Sequence, residues 1–133
     1  MGTDLYYHIE RQLEDGSWET VDWRDYDLDL IPRAYVFYGI LDGTRHDLPE
    51  DLNPIVPEPR GWPPHTRKGR GLTWDHMYGH SWVTADEIRE WPGWAHGCRN
   101  DNQTYRERAG GIADAVIEVL EKNAPARLYF CYD

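Results

Sequence analysis

The chain has 133 residues and a formal charge of −10 at pH 7, from 24 acidic and 14 basic side chains. That length suits one domain, residues 1–133, with a real core. That charge excludes the broad basic face a general nucleic-acid binder needs and repels an anionic membrane.

Seven Trp and nine Tyr, in a chain of mean hydropathy −0.80, predict a small aromatic core whose hydroxyl and indole N–H groups need partners. The N-terminal residues hold neither a basic patch nor an apolar run, so no secretory signal is expected. Position 6 is Tyr6, where a myristoylation signal has Ser or Thr. No stretch approaches the ~20 apolar residues of a membrane span. Cys98 and Cys131 fit no CxxC or finger spacing, so buried free thiols in a reducing cytoplasm are expected.

Leu5, Tyr7 and Ile9 alternate with Asp4, Tyr6, His8 and Glu10, the two-residue period of a strand. Asp15-Gly16 centres a turn. Trp18 to Trp23 alternates again and predicts the returning strand of a hairpin. Pro32 is placed to open a helix, where its missing N–H costs nothing. Ala34, Tyr35, Tyr38 and Leu41 make the helical stripe, and Gly43 closes it. Residues 44 to 73 carry prolines at 49, 54, 57, 59, 63 and 64 and read as one long loop, which in a compact domain is often functional.

His80 to Val83 predicts a short strand. Thr84 and Glu87 have capping-box spacing for a short helix that stops at Pro92, and residues 93 to 103 read as loop. Tyr105, Ala109, Ile112, Ala113, Val116 and Leu120 mark the longest amphipathic helix. Gly110 and Gly111 weaken it by ~1 kcal/mol each relative to Ala, and are expected to let it pack closely on a sheet. Pro125 ends it, and Arg127 to Tyr132 is the last strand. The order predicts an α+β fold: a small, mainly antiparallel sheet of N-terminal hairpin and C-terminal strand, with two to three helices packed on it. The first and last strands are expected to lie side by side.

Charge is concentrated in one place. Residues 59 to 74 hold no acid, but contain Arg60, Arg67, Lys68 and Arg70, with His65 among them and Trp62 and Trp74 near the ends. Guanidinium groups bind phosphates bidentately and indole faces stack on bases. Such a loop on an acidic protein has the chemistry of an anion-binding lip. If it binds an anion, reversing Arg60 or Arg70 to Glu is expected to abolish binding without lowering the melting temperature.

Other constellations are less specific. Asp4, His8 and Glu10 share one strand face, either as a proton-transfer or metal site or as an exposed polar edge. His76 and His80 have helical metal-ligand spacing, but Gly79 argues against a helix, and the zincin glutamate is missing. His80 suits an orienting or ligand-binding role better. His96 and Cys98 are close without a second pair. Ser81 has no nucleophile-elbow setting. Between residues 10 and 29, eight acids face two arginines, so Asp25, Asp27 and Asp29 belong either to a solubilising surface or to a docking face for a basic partner protein.

Five patches recur in order: Gly2-Thr3-Asp4-Leu5 with Glu10; Arg33, Tyr35, Tyr38, Leu41 and Arg45; Pro59-Arg60-Gly61-Trp62-Pro63; His80-Ser81-Trp82-Val83-Thr84; and Arg127, Phe130, Tyr132 and Asp133. In this the chain resembles a family of small proteins of phages, prophages and actinobacteria. Tyr6 departs from the family's usual histidine, which weakens any mechanism using a histidine there. The resemblance carries no established reaction; it implies a phage accessory protein, a class that often counters host defences, in the cytoplasm of the infected cell.

The leading expectation is therefore a protein that binds and sequesters a small anionic ligand, such as a nucleotide immune signal. Arg60, Arg67, Lys68 and Arg70 would supply charge. Trp62, Trp74, Tyr78 and Trp82 would stack, and Asp4, Glu10 and His80 would read the ligand's donors. No cofactor or metal is called for, and a homo-oligomer with a site between subunits is expected. The alternatives are a protein-binding inhibitor of a host factor through the acidic surface, and a phosphodiesterase-like hydrolase of a nucleotide using Asp4, His8, Glu10, His76 and His80.

Overall fold

The computed structural model describes residues 2–22, 30–62, 77–98 and 102–133. Four strands, β1 (Leu5–Gln12), β2 (Trp18–Thr20), β3 (Tyr78–Val83) and β4 (Ala126–Tyr132), form one sheet in the order β2-β1-β4-β3. Every pairing is antiparallel, so the expected α+β sheet is present, and β1 lies beside β4. In the hairpin turn the Asp15 carboxylate accepts the Ser17 N–H at 2.9 Å, and Gly16 takes a φ of 87°, which its missing Cβ permits. The β2 ladder is extended by one bond, Val21 N–H to Ile9 O at 2.8 Å. Residue 23 of the predicted strand lies outside the described residues.

Helix α1 (Tyr35–Asp42) begins three residues after Pro32, not at it. Residues 33 and 35 are instead tied to the entry of β1: Thr3 N–H donates to the Tyr35 hydroxyl, and Arg33 Nε donates to Thr3 O. Ala34 is the extended cap, and Gly43, at φ 87°, closes the helix by donating to Gly39 O. The predicted loop leaves α1 and doubles back. Ile55 and Val56 N–H groups donate to Ile40 and Leu41 carbonyls, both at 2.8 Å, satisfying acceptors the helix end leaves open.

Helices α2 (Ala85–Arg89) and α3 (Tyr105–Lys122) both start with complete capping boxes, Thr84 with Glu87 and Thr104 with Glu107. The second has the same Thr-x-x-Glu spacing as the first and was equally legible. Gly110 and Gly111 do not serve close packing on the sheet. A Cβ on Gly110 would run into the Arg106 side chain of its own helix at 2.5 Å, and one on Gly111 would meet nothing.

The helices cover one face of the sheet. Ile9, Leu128, Phe130 and Tyr132 point there and join Phe37, Ile40, Tyr105 and Val116 in the core. Cys98 and Cys131 are buried free thiols, as expected. Burial pushes the Cys131 thiol up to about 12, so it stays protonated and unreactive at neutral pH. Native protein at pH 7.4 should resist a thiol-reactive disulfide and react at Cys131 only after denaturation, which a colorimetric titration checks. Among the described residues, no helix is long and apolar enough to cross a membrane.

Candidate functional site

Strand alternation sends the remaining side chains to the face the helices leave uncovered. Register sets Tyr6 beside Cys131, His8 beside Tyr129 and Glu10 beside Arg127, while β3 adds Trp82 beside Tyr129. This second face is polar yet dry. Glu10 is 1 % exposed, Arg127 3 % and His8 4 %.

The charges there are matched. Arg127 Nε donates to Glu10 Oε1 at 2.7 Å, and His8 Nε2 lies 3.5 Å from Glu10 Oε2. The Arg127 guanidinium sits 3.8 Å from the centre of the Trp18 ring and 5.6 Å from that of Trp82, so indole faces take up the charge the carboxylate does not. The expectation that Asp4, His8 and Glu10 form an exposed edge holds for Asp4 alone.

Next to this pair lies an aromatic stack. Gly79 adopts a φ of 68°, and the ladder shifts between Tyr78 and Ser81, a β-bulge. The bulge sends His80 to the uncovered face and leaves Tyr78 over Tyr132 on the helix side. Met77 O lies 2.9 Å from His80 Nε2 and can only accept, so Nε2 carries the proton. The other nitrogen, Nδ1, then accepts the Tyr129 hydroxyl at 2.7 Å when the ring is neutral. Trp62 lies flat on this fixed imidazole, with ring centres 4.6 Å apart and planes 18° apart.

Arg60 is clamped in an ion pair. Its two terminal nitrogens fork onto the Glu87 carboxylate, one at 2.8 Å, and Nη1 also donates to Trp82 O at 3.0 Å. Its guanidinium covers the Trp82 ring at 4.7 Å. The Glu87 carboxylate is the same one that closes the Thr84 capping box. Arg60→Glu should therefore lower Tm by about 3–5 °C, the equivalent of ~1 kcal/mol for a part-exposed pair. This revises the expectation of an unchanged melting temperature.

The pair has an acid signature. The hydrogen bond from Arg60 holds the Glu87 carboxyl below its ordinary value of 4.5. Its stabilisation is complete above that value and fades as pH falls through the depressed native value. Glu87→Gln should flatten the fall of Tm in that acid window, as thermal melts across pH would record.

Comparison with protein-family models, curated proteins and solved structures finds no match.

Of the residues expected in a binding site, Arg60, Trp62, His80, Trp82 and Glu10 share this face. Glu10 lies beneath it, held by Arg127. Asp4 stands elsewhere, 3.3 Å from Arg33, and Tyr78 is 53 % exposed on the other side. Arg67, Lys68, Arg70 and Trp74 lie outside the described residues, as do His65, His76, Asp25, Asp27 and Asp29. His96 is away from this face, with Nε2 3.4 Å from Asp51. Among the described residues, no group of three His, Cys, Asp or Glu is placed to hold a metal ion. Arg127, Tyr129 and Trp18 were missed as site residues. The alternation of Arg127, Tyr129 and Cys131 was a signal for them, but their partners depend on register.

Proposed function

We propose that this chain is a phage-type accessory protein that binds and sequesters a small anionic ligand with a planar ring, such as a nucleotide immune signal, and so counters a host defence. The observation that carries the reading is the Trp62–His80 stack, whose lower ring is fixed from both nitrogens. A preorganised π-surface gives a ring affinity without an ordering cost. The sequence that holds Arg67, Lys68, Arg70 and Trp74 runs between Trp62 and Met77, and both of those residues contact His80. Sequestration needs affinity rather than turnover, in keeping with a chain that has no nucleophile motif. The reading extends to a homo-oligomer in the host cytoplasm.

A second reading, a hydrolase of the same ligand, draws on one specific feature. His8 meets the Tyr129 ring edge-on at 4.8 Å and His80 bonds its hydroxyl, so both histidines meet at one tyrosine, with Glu10 3.5 Å from His8.

Ligand release separates the two. The purified protein is incubated with a panel of cyclic and linear nucleotides, freed of unbound ligand and denatured, and the released material is analysed by mass spectrometry. Intact nucleotide supports sequestration. A converted product supports the hydrolase. Neither capture nor conversion refutes both and directs the search to a protein partner.

A further inference from the structure

A second cationic site lies on the helix-bearing side of the sheet. The residues that open α1 and a facing residue of α3 enclose a cleft of about 460 Å³, lined by Arg33, Ala34, Tyr35, Val36 and Arg108. That volume is within the ~300–1,000 Å³ of small-molecule sites. No acidic side chain lines the cleft, and the first turn of α1 holds none, on a chain of charge −10.

Two guanidinium groups line it, Arg33 and Arg108, and a third, Arg45, stands over the ring of its Tyr35. Arg33 precedes α1, Arg45 follows it, and Arg108 stands on α3. Arg33 lies 5.7 Å and Arg45 5.0 Å from the centre of the Tyr35 ring. Arg108 is near enough to His46 to help burial hold that imidazole below its ordinary value. The Asp4 carboxylate lies 3.3 Å from Arg33 Nε, and both side chains are about half exposed. Arg33 Nε also reaches Thr3 O at 3.4 Å, whereas its terminal nitrogens make no hydrogen bond among the described residues.

The Tyr35 hydroxyl is set up as a donor. It accepts the Thr3 N–H at 3.2 Å, and that bond, with the Arg45 and Arg33 guanidinium groups beside it, holds its pKa below the usual tyrosine value. Its own proton remains to be given to a third group. Gly2 packs against both groups, since any side chain there would collide with Arg33 and the Tyr35 hydroxyl. Arg45 has a φ of 62°, a left-handed conformation that costs a non-glycine residue roughly 1–2 kcal/mol. The fold holds an arginine over Tyr35 in a backbone that glycine would suit better.

We propose that this cleft is a phosphate site, taking the phosphate group of a small phosphorylated molecule. Three guanidinium groups and a hydroxyl offer more donors than the two oxygens of a carboxylate accept, and they match the several oxygens and higher charge of a phosphate. The site is separate from the Trp62–His80 face and does not rest on the function proposed for it.

Inorganic phosphate is the probe. The ¹⁵N-labelled full chain is titrated with sodium phosphate and, at matched ionic strength, with sodium chloride, and followed by two-dimensional NMR. Saturable shifts are expected at Arg33, Tyr35, Val36 and Arg108 with phosphate alone. Arg108→Gln should weaken binding by about tenfold or more, the loss of one charged hydrogen-bond donor. Arg45→Gly should weaken it similarly while Tm holds or rises, because glycine relieves the left-handed strain; that variant separates binding from folding. Shifts that do not saturate, that chloride reproduces, or that persist at full affinity in Arg45→Gly and Arg108→Gln would mean an adventitious ion only and overturn the proposal.

Discussion

Arg127→Met should lower the unfolding free energy by about 3–5 kcal/mol, because it strands a carboxylate in the dry face of the sheet. The pair it breaks is among the most buried polar contacts of the chain, with Arg127 3 % and Glu10 1 % exposed and 2.7 Å between them. The change also removes the cation from between Trp18 and Trp82. Urea denaturation, read as a shift in midpoint at constant slope, measures the loss. Adding Glu10→Leu to Arg127→Met should recover most of it, since the charge left unpaired is then gone. A single-variant loss below about 1 kcal/mol would show that the pair is not desolvated as described, a cost in the range of exposed pairs.

The double variant also tests the site. Glu10 was expected to read a ligand's donors, but it is already committed to Arg127. If the double variant folds and still captures ligand, the pair is a scaffold beneath the aromatic stack. If it folds and capture is lost, Glu10 belongs to the site itself.

Trp62→Ala should reduce nucleotide capture by about 10- to 100-fold, in line with ~1–3 kcal/mol for a base stacked on an aromatic ring. Trp62→Phe should retain part of the affinity, because a smaller π-face remains over His80. Equilibrium dialysis with whichever nucleotide the wild type releases gives the numbers. Equal affinity in all three proteins would remove this face as the ligand's seat. His80→Ala tests the same surface from below, since it deletes the ring on which Trp62 rests.

Local pattern accounts for much of the fold. The two-residue period of residues 5–10 predicted β1, Asp15-Gly16 its turn, and Gly43 the end of α1. The Thr84–Glu87 spacing predicted the start of α2. Each is a short-range effect of backbone sterics or a nearby side-chain cap, so each is written within a few residues. Helix α1 began later than Pro32 suggested because contacts with Thr3, about 30 residues away, hold Arg33 and Tyr35 outside or at the edge of the helix.

The sites depend on longer distances. Arg60 was conspicuous for its charge, but Glu87, 27 residues on, made it a clamp. His80 and Tyr78 share a face by simple alternation and are parted by the bulge at Gly79. The Arg127–Glu10 pair spans 117 positions. The arginines at and beside the cleft, 33, 108 and 45, belong to no common pattern. By itself, the sequence determined which elements form, which residues carry charge and where aromatic surface is concentrated, because these are properties of single residues and near neighbours. Only the tertiary structure decided which charges are neutralised and which face a cleft, because that depends on strand register and helix packing, which bring together residues with no proximity in the chain.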